Sequence, residues 1–245
     1  MKREFRIHHS GRMIFCKLNM PEGNKMVPMV IFCHGYNGNC EGFNYHQEFL
    51  ENKGIGSIAF DFCGGSVNSK SSLNTTMMTI ETEVEDLLAV YNYVSNMEQV
   101  DIHQIFFHGE SQGGFVSAIA AAKLGDRICG LNLIYPALCI PDNWNEKYKN
   151  ISDIPEVEEF WGMKLGKNFF MSLRNIDIFH EISKYTGRVK IVHGDQDKTV
   201  PLHYSEKAVK SYRNAILEVL SGEGHGFSPE GVEKELKFVY NNQEW

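Results

Sequence analysis

The 245-residue chain contains no apolar run long enough to cross a membrane, and the stretch MKREFRIHHSGRMIFCKLNM at its start lacks the apolar core of a secretion signal. We therefore expect a soluble, cytoplasmic protein with no membrane partner. Basic clusters are missing too. Lys and Arg are scattered and outnumbered, giving a formal net charge of −7, which excludes the electrostatic footprint of a nucleic-acid binder. C-x-x-C, H-E-x-x-H and clustered Cys/His spacings are absent, so neither a metal site nor a cofactor is expected. Six cysteines are present (Cys16, Cys33, Cys40, Cys63, Cys129 and Cys139), several of them inside apolar runs such as VIFC and RICG. There they read as reduced, buried thiols and not as disulfide partners. No internal repeat is found. The partner left by these exclusions is a small neutral or weakly polar molecule.

What the chain does have is a regular alternation. REFRIHH and RMIFCKLNM, joined at Ser10-Gly11, read as a β-hairpin. MVIFC (29–33), GSIAF (56–60), QIFFH (104–108), GLNLIY (130–135), RVKIVH (188–193) and AILEVL (215–220) are short continuous apolar runs, as expected of parallel strands buried on both faces. Between them lie helical segments, from NYHQEFLENKG to the terminal EGVEKELKFVYNN (230–242). The pattern predicts one α/β domain over residues 1–245, a doubly wound, mostly parallel eight-stranded sheet that binds ligands beyond the carboxyl ends of its strands. Two segments break the rhythm. Cys63–Thr76, rich in Ser, Asn and Gly, is expected to be a surface loop. Residues 136–187, which carry Trp144, Tyr148, Phe160, Trp161, Phe169 and Phe170, are too long for a connection and too aromatic for a linker. They read either as a satellite helical layer or as a cap over the ligand site, and their position at the carboxyl edge favours the cap.

The chemistry concentrates in FHGESQGGFVSAIAAA (107–122). A strand-like run turns here into a small-residue helix, and Gly109, Gly113 and Gly114 permit a tight corner from which Ser111 projects. A serine hydroxyl becomes a nucleophile only when a base takes its proton, and the base needs an acid to orient it. Both follow later strands. HGDQDKTVP (193–201) offers Asp195 and Asp197, and SGEGHGFSP (221–229) offers His225 between two glycines. His34, His108 and His193 also precede glycine, but they end strands and read as supports for loops.

On CHGYNGN (33–39), DFCGGS (61–66), GESQGG (109–114), HGDQDKTVP (193–201) and GEGHGF (222–227), in the order Ser, Asp, His, the chain resembles the α/β-hydrolase family, and within it the small bacterial cinnamoyl and feruloyl esterases. The resemblance implies a serine ester hydrolase without cofactor, in which Ser111 attacks, His225 shuttles the proton and Asp197, rather than Asp195, orients His225. It also implies an oxyanion hole made by the backbone amides of Tyr36 and Gln112. Glu110 departs from the histidine often found before the serine in those esterases. For the substrate, the resemblance points to an aromatic acyl ester, with Asp142 where a relative carries an acid for the phenol. Trp144 and Phe169 would supply aromatic walls, although NFF (168–170) stands where a tyrosine would complete the phenol contact. An acyl thioesterase and a small peptidase of prolyl-oligopeptidase type use the same residues, and a ligand-binding protein could keep the fold without the chemistry.

Overall fold

In a computed structural model, which describes residues 1–23 and 26–241, the chain opens with the expected hairpin, β1 (Lys2–His9) and β2 (Arg12–Asn19). His9 pairs with Arg12, and the intervening Ser10 and Gly11 have φ of 49° and 76°, the paired positive values that a two-residue hairpin turn requires. The expected runs then form β3 (Val27–Cys33), β4 (Gly56–Phe60), β5 (Val100–Glu110) and β6 (Gly130–Ile134). β5 begins four residues before the apolar run QIFF, because Val100 already pairs with Val27 while Asp101 and His103 interrupt the apolar pattern. Three helices connect these strands: α1 (Asn44–Glu51), α2 (Ile80–Ser95) and α3 (Gln112–Leu124).

Residues 136–187 are not a purely helical layer. They contain α4 (Ile140–Lys147), the antiparallel pair β7 (Val157–Phe160) and β8 (Met163–Gly166), and the short helices α5 (Lys167–Ser172) and α6 (Ile178–Ile182). The β7–β8 turn is Trp161-Gly162, with φ of 44° and 75°, a two-residue turn of the same kind as the first. After this segment come β9 (Arg188–Gly194), α7 (His203–Ser211), β10 (Ala215–Leu220) and α8 (Pro229–Tyr240). The expected extension of the last helix to Asn242 lies outside the described residues.

The main sheet has eight strands in the order β1-β2-β4-β3-β5-β6-β9-β10. β1, β2 and β4 pair antiparallel, and β4 through β10 pair parallel. Side chains alternate across it. Met29, Ile31 and Cys33 of β3 join the core under α2 and α3, while Val30 and Phe32 join a second core with residues of α1 and α8. This is the α/β-hydrolase architecture, with helices on both faces.

The tightest approach lies where α3 starts. A Cβ on Gly113 would stand 2.2 Å from the Cys33 carbonyl oxygen and 2.4 Å from that of His34, both backbone atoms that cannot swing away. We predict that Gly113→Ala lowers unfolding free energy by about 3 kcal/mol or more. Gly42→Ala, where an added methyl meets nothing within 4 Å, should change it by less than about 0.5 kcal/mol. Urea denaturation of both variants measures the difference, and equal midpoints would remove the steric argument.

Candidate active site

Ser111 lies between the end of β5 and the first residue of α3, with φ 51° and ψ −118°, a backbone conformation that costs a side-chain-bearing residue energy. Its neighbours hold it there. The Ser111 amide donates to the Ile134 carbonyl at 3.0 Å, and its own carbonyl accepts from the Ala137 amide at 2.9 Å. His225, on the loop after β10, brings Nε2 to 2.9 Å from Ser111 Oγ and Nδ1 to 2.8 Å from Asp197 Oδ2. An ionised carboxylate only accepts, so Nδ1 carries the proton and Nε2 presents its lone pair to the serine hydroxyl.

The Asp197 side chain is buried. Burial by itself pushes its pKa up, but the Val200 amide, His225 and the Thr199 amide outweigh that and hold it below the ordinary value. Thr199 and Val200 donate to Oδ1 at 2.8 and 2.9 Å, leaving Oδ2 for His225. Asp195 does different work: its exposed carboxylate accepts from the Gly222 amide at 2.7 Å and ties two loops together. His34 and His193 are likewise engaged with their own loops. His34 Nε2 accepts from the Phe62 amide at 3.0 Å, and His193 bridges Ser205 Oγ and the Val200 carbonyl at 2.7 and 3.0 Å.

The turn after β3 crosses directly over the serine, close enough that a Cβ on Gly35 would lie 3.2 Å from Ser111 Cβ. Gln112 opens α3, so its amide has no partner within the helix, and the Tyr36 amide donates to no acceptor among the described residues. Both residues line the cleft above Ser111. The Tyr36 hydroxyl donates to the Phe160 carbonyl at 2.7 Å and so joins this turn to the β7–β8 hairpin.

The cleft holds about 250 Å³. Ile140, Asn143, Trp144 and Lys147 reach it from one face of α4, Phe160 and Trp161 from the hairpin, and Phe169 from α5. Asp142 is not among the lining residues. It sits on another face of α4, where its carboxylate accepts from the Tyr204 hydroxyl at 2.7 Å and borders a separate groove with Arg174 and Lys207. The polar groups that face the cleft from α4 are instead Asn143 and Lys147, and Lys147 is paired with Glu158 at 2.5 Å. Tyr135, with φ 35°, packs its ring 4.5 Å from that of His225.

A sequence profile of the prolyl oligopeptidase family matches residues 41–242. The chain belongs to the prolyl oligopeptidase family. Among solved structures, this family member superimposes on Est1E from Butyrivibrio proteoclasticus with bound ferulic acid, at a TM-score of 0.87 and 28% identity over 97% of both chains. Acetyl xylan esterase 1 from a Thermoanaerobacterium species shares the fold at a TM-score of 0.72 and 20% identity, over 99% of this chain and 84% of that one. Monoacylglycerol lipase ABHD6 of Rattus norvegicus is 22% identical over 279 residues, covering 95% of this chain and 80% of the lipase. The protein is thus an α/β hydrolase of the prolyl oligopeptidase family whose structure resembles that of Est1E.

One acid of this prolyl oligopeptidase family member belongs to none of the motifs that mark the site in the sequence. Glu83 is buried, and its Oε2 accepts from Gln112 Nε2 at 2.8 Å, holding the side chain next to the serine. Burial pushes its pKa up from 4.5 to about 8, against the lowering effect of Gln112. Folded protein therefore keeps a proton that the unfolded chain releases, and this group's contribution to stability falls as pH rises from about 4.5 toward 8. Glu83→Gln preserves shape and the acceptor for Gln112 but removes the titration. We predict that the melting temperature of the variant, relative to wild type, climbs steadily between pH 5 and 8, while parallel curves would show that Glu83 does not change protonation on unfolding.

Proposed function

We propose that the protein is a serine carboxylic ester hydrolase that acts on aromatic or other apolar acyl esters. The observation that carries this reading is the continuous hydrogen-bonded chain from Asp197 through His225 to Ser111, which ends at an apolar cleft. Ser111 Oγ attacks the ester carbonyl as His225 Nε2 takes its proton, and the tetrahedral oxyanion is met by the amides of Tyr36 and Gln112. His225 returns the proton to the leaving alkoxide. Water, deprotonated by the same imidazole, then attacks the acyl-serine and frees the acid. Asp197 keeps the imidazole in the required tautomer throughout and balances its charge when protonated. Residues 1–245 act as one catalytic unit, with 136–187 as its cap. No cofactor takes part in this scheme.

The aromatic preference is supported by the cleft walls, Trp144, Phe160 and Phe169, and by the ferulic acid held in Est1E. The family name favours a second reading, hydrolysis of a peptide amide by the same residues. A peptide's charged end needs an unpaired counter-charge, and the charged group lining the cleft, Lys147, already faces Glu158. The six cysteines are free thiols, which supports a cytoplasmic setting.

Ser111→Ala should lose activity on aryl and phenylpropenoyl esters by roughly 10⁴-fold or more and lose all labelling by a fluorophosphonate probe, with its circular dichroism unchanged. Labelling retained by the folded variant would move the nucleophile elsewhere. Asp197→Asn should reduce kcat by about 10³- to 10⁴-fold, whereas Asp195→Asn should alter mainly thermal stability; a dead Asp195→Asn enzyme would reassign the acid.

For the substrate, kcat/KM on phenylpropenoyl esters should exceed that on acetyl esters, and Trp144→Ala should narrow the ratio by about tenfold. Faster cleavage of acetyl esters, or of aminoacyl amides, would replace the aromatic ester assignment.

A further inference from the structure

On the face of the sheet covered by α1 and α8, four side chains with ligating atoms converge behind the Ser111 corner. His108 and Glu110 are two apart on β5 and so point the same way, His46 comes from α1, and Glu235 comes from α8. One ligating atom from each lies within 4.8 Å of the other three. His46, His108 and Glu235 are buried at 6%, 0% and 1% exposure. Their surroundings are apolar: the Phe32 ring lies 4.9 Å from that of His108, and the Phe43 ring 5.4 Å from that of His46.

Hydrogen bonding within the protein does not satisfy this cluster. His46 Nε2 meets Glu235 Oε1 at 2.6 Å. His108 Nε2 and His46 Nδ1, by contrast, are buried without a partner. His108 Nε2 points toward Glu235 Oε1 but stops 3.8 Å away, and His46 Nε2 stops 3.9 Å from Glu110 Oε1. These gaps are too long for hydrogen bonds. They are close to the separation of two ligands on one metal ion, which for tetrahedral zinc bonds of 2.0–2.2 Å is about 3.3–3.6 Å. Two carboxylates and two imidazoles also match a divalent cation in charge, since the ion supplies the two positive charges that the carboxylates lack. Burial raises Glu235 well above its ordinary range and Glu110 to about 7, and lowers both imidazoles.

We infer that His46, His108, Glu110 and Glu235 form a buried binding site for one divalent first-row transition-metal ion, with zinc(II) the best match. Binding requires His46 to give up the proton it shares with Glu235 and His108 to carry its proton on Nδ1. Asn132 Nδ2 now stands 3.0 Å from that nitrogen and 2.8 Å from the Glu235 carbonyl, while Asn132 Oδ1 is buried without a partner. Turning this amide presents its oxygen to His108 Nδ1–H, so loading exchanges the Asn132–Glu235 hydrogen bond for coordination by a histidine whose outer nitrogen is held. Four protein ligands fill a tetrahedral shell and leave no position for substrate, which makes the site structural. It would clamp α1 and α8 to the strand that ends at Ser111, independently of which ester or amide the serine attacks. Because the ligands release protons, affinity should rise with pH.

The test uses the full chain, stripped with a chelator and titrated at pH 7.5 with zinc(II), and separately with cobalt(II), whose visible absorption reports tetrahedral coordination. One equivalent bound, the cobalt bands and a rise of several degrees in melting temperature are expected. His225→Ala should keep all three, which excludes binding at the serine site. Glu235→Gln and His108→Asn should each weaken binding by more than about 100-fold. If either variant fails to fold, the wild-type cobalt spectrum and zinc stoichiometry decide alone. Absence of stoichiometric binding by wild type, octahedral cobalt bands, or binding unchanged in folded Glu235→Gln overturns the site and leaves the cluster held by protons alone.

Discussion

The geometry at Ser111 depends on how closely α3 can approach the end of β3. Gly113 lies against two carbonyl oxygens at that strand end, Gly109 against the Gly113 carbonyl and Ser117 Oγ, and Gly114 against the Gly109 carbonyl and Pro136, so no side chain larger than hydrogen fits at the three positions. The strain in Ser111 itself, of the order of 1–3 kcal/mol, is offset by the burial of the helix that follows. Gln112 through Ala121 are buried without interruption, and the run of alanines lets α3 sit close under the sheet. The serine therefore protrudes because everything around it has been made small.

A second theme is the use of buried carboxylates to fix loops through backbone amides. Asp61 accepts from the amides of Cys40 and Lys70 at 2.8 and 2.7 Å, and Asp86 accepts from the Cys63 amide at 2.8 Å and from Arg12 at 3.0 Å. Asp197 does the same with Thr199 and Val200. Each hydrogen bond to a carboxylate is worth more than one between neutral groups, and the acceptor cannot rotate away when its second oxygen is also engaged. Loops rich in Ser, Asn and Gly are thus held in one arrangement at the edge where the cleft forms.

The parallel strands were legible because continuous apolar runs can only be satisfied by burial on both faces. The serine corner was legible because its glycines admit few other structures. The β7–β8 hairpin was not, since VEEF and MKLG mix charges with apolar residues and the sharp turn uses Trp161 in place of an asparagine or aspartate. Asp142 was misplaced for a geometrical reason. On α4 the cleft face is spaced as positions 140, 143, 144 and 147, and position 142 points elsewhere. Glu83 and Glu235 illustrate a different limit. A carboxylate on an amphipathic helix reads as solvent-facing, and only the fold shows that Gln112 and His46 lie opposite. His46 and Glu235 are 189 residues apart, so no local spacing could pair them.

The hydrogen bond from Tyr36 to Phe160 makes the entrance and the floor of the cleft a single mechanical unit. A hairpin that swings outward with this bond intact pulls on the turn that carries the Tyr36 amide, and so disturbs the group proposed to receive the oxyanion. Displacing the hairpin therefore requires either breaking this bond or moving the turn above Ser111 with it. A ligand packed against Phe160 would through the same bond steady the turn above Ser111, so the aromatic walls would influence the rate as well as the affinity.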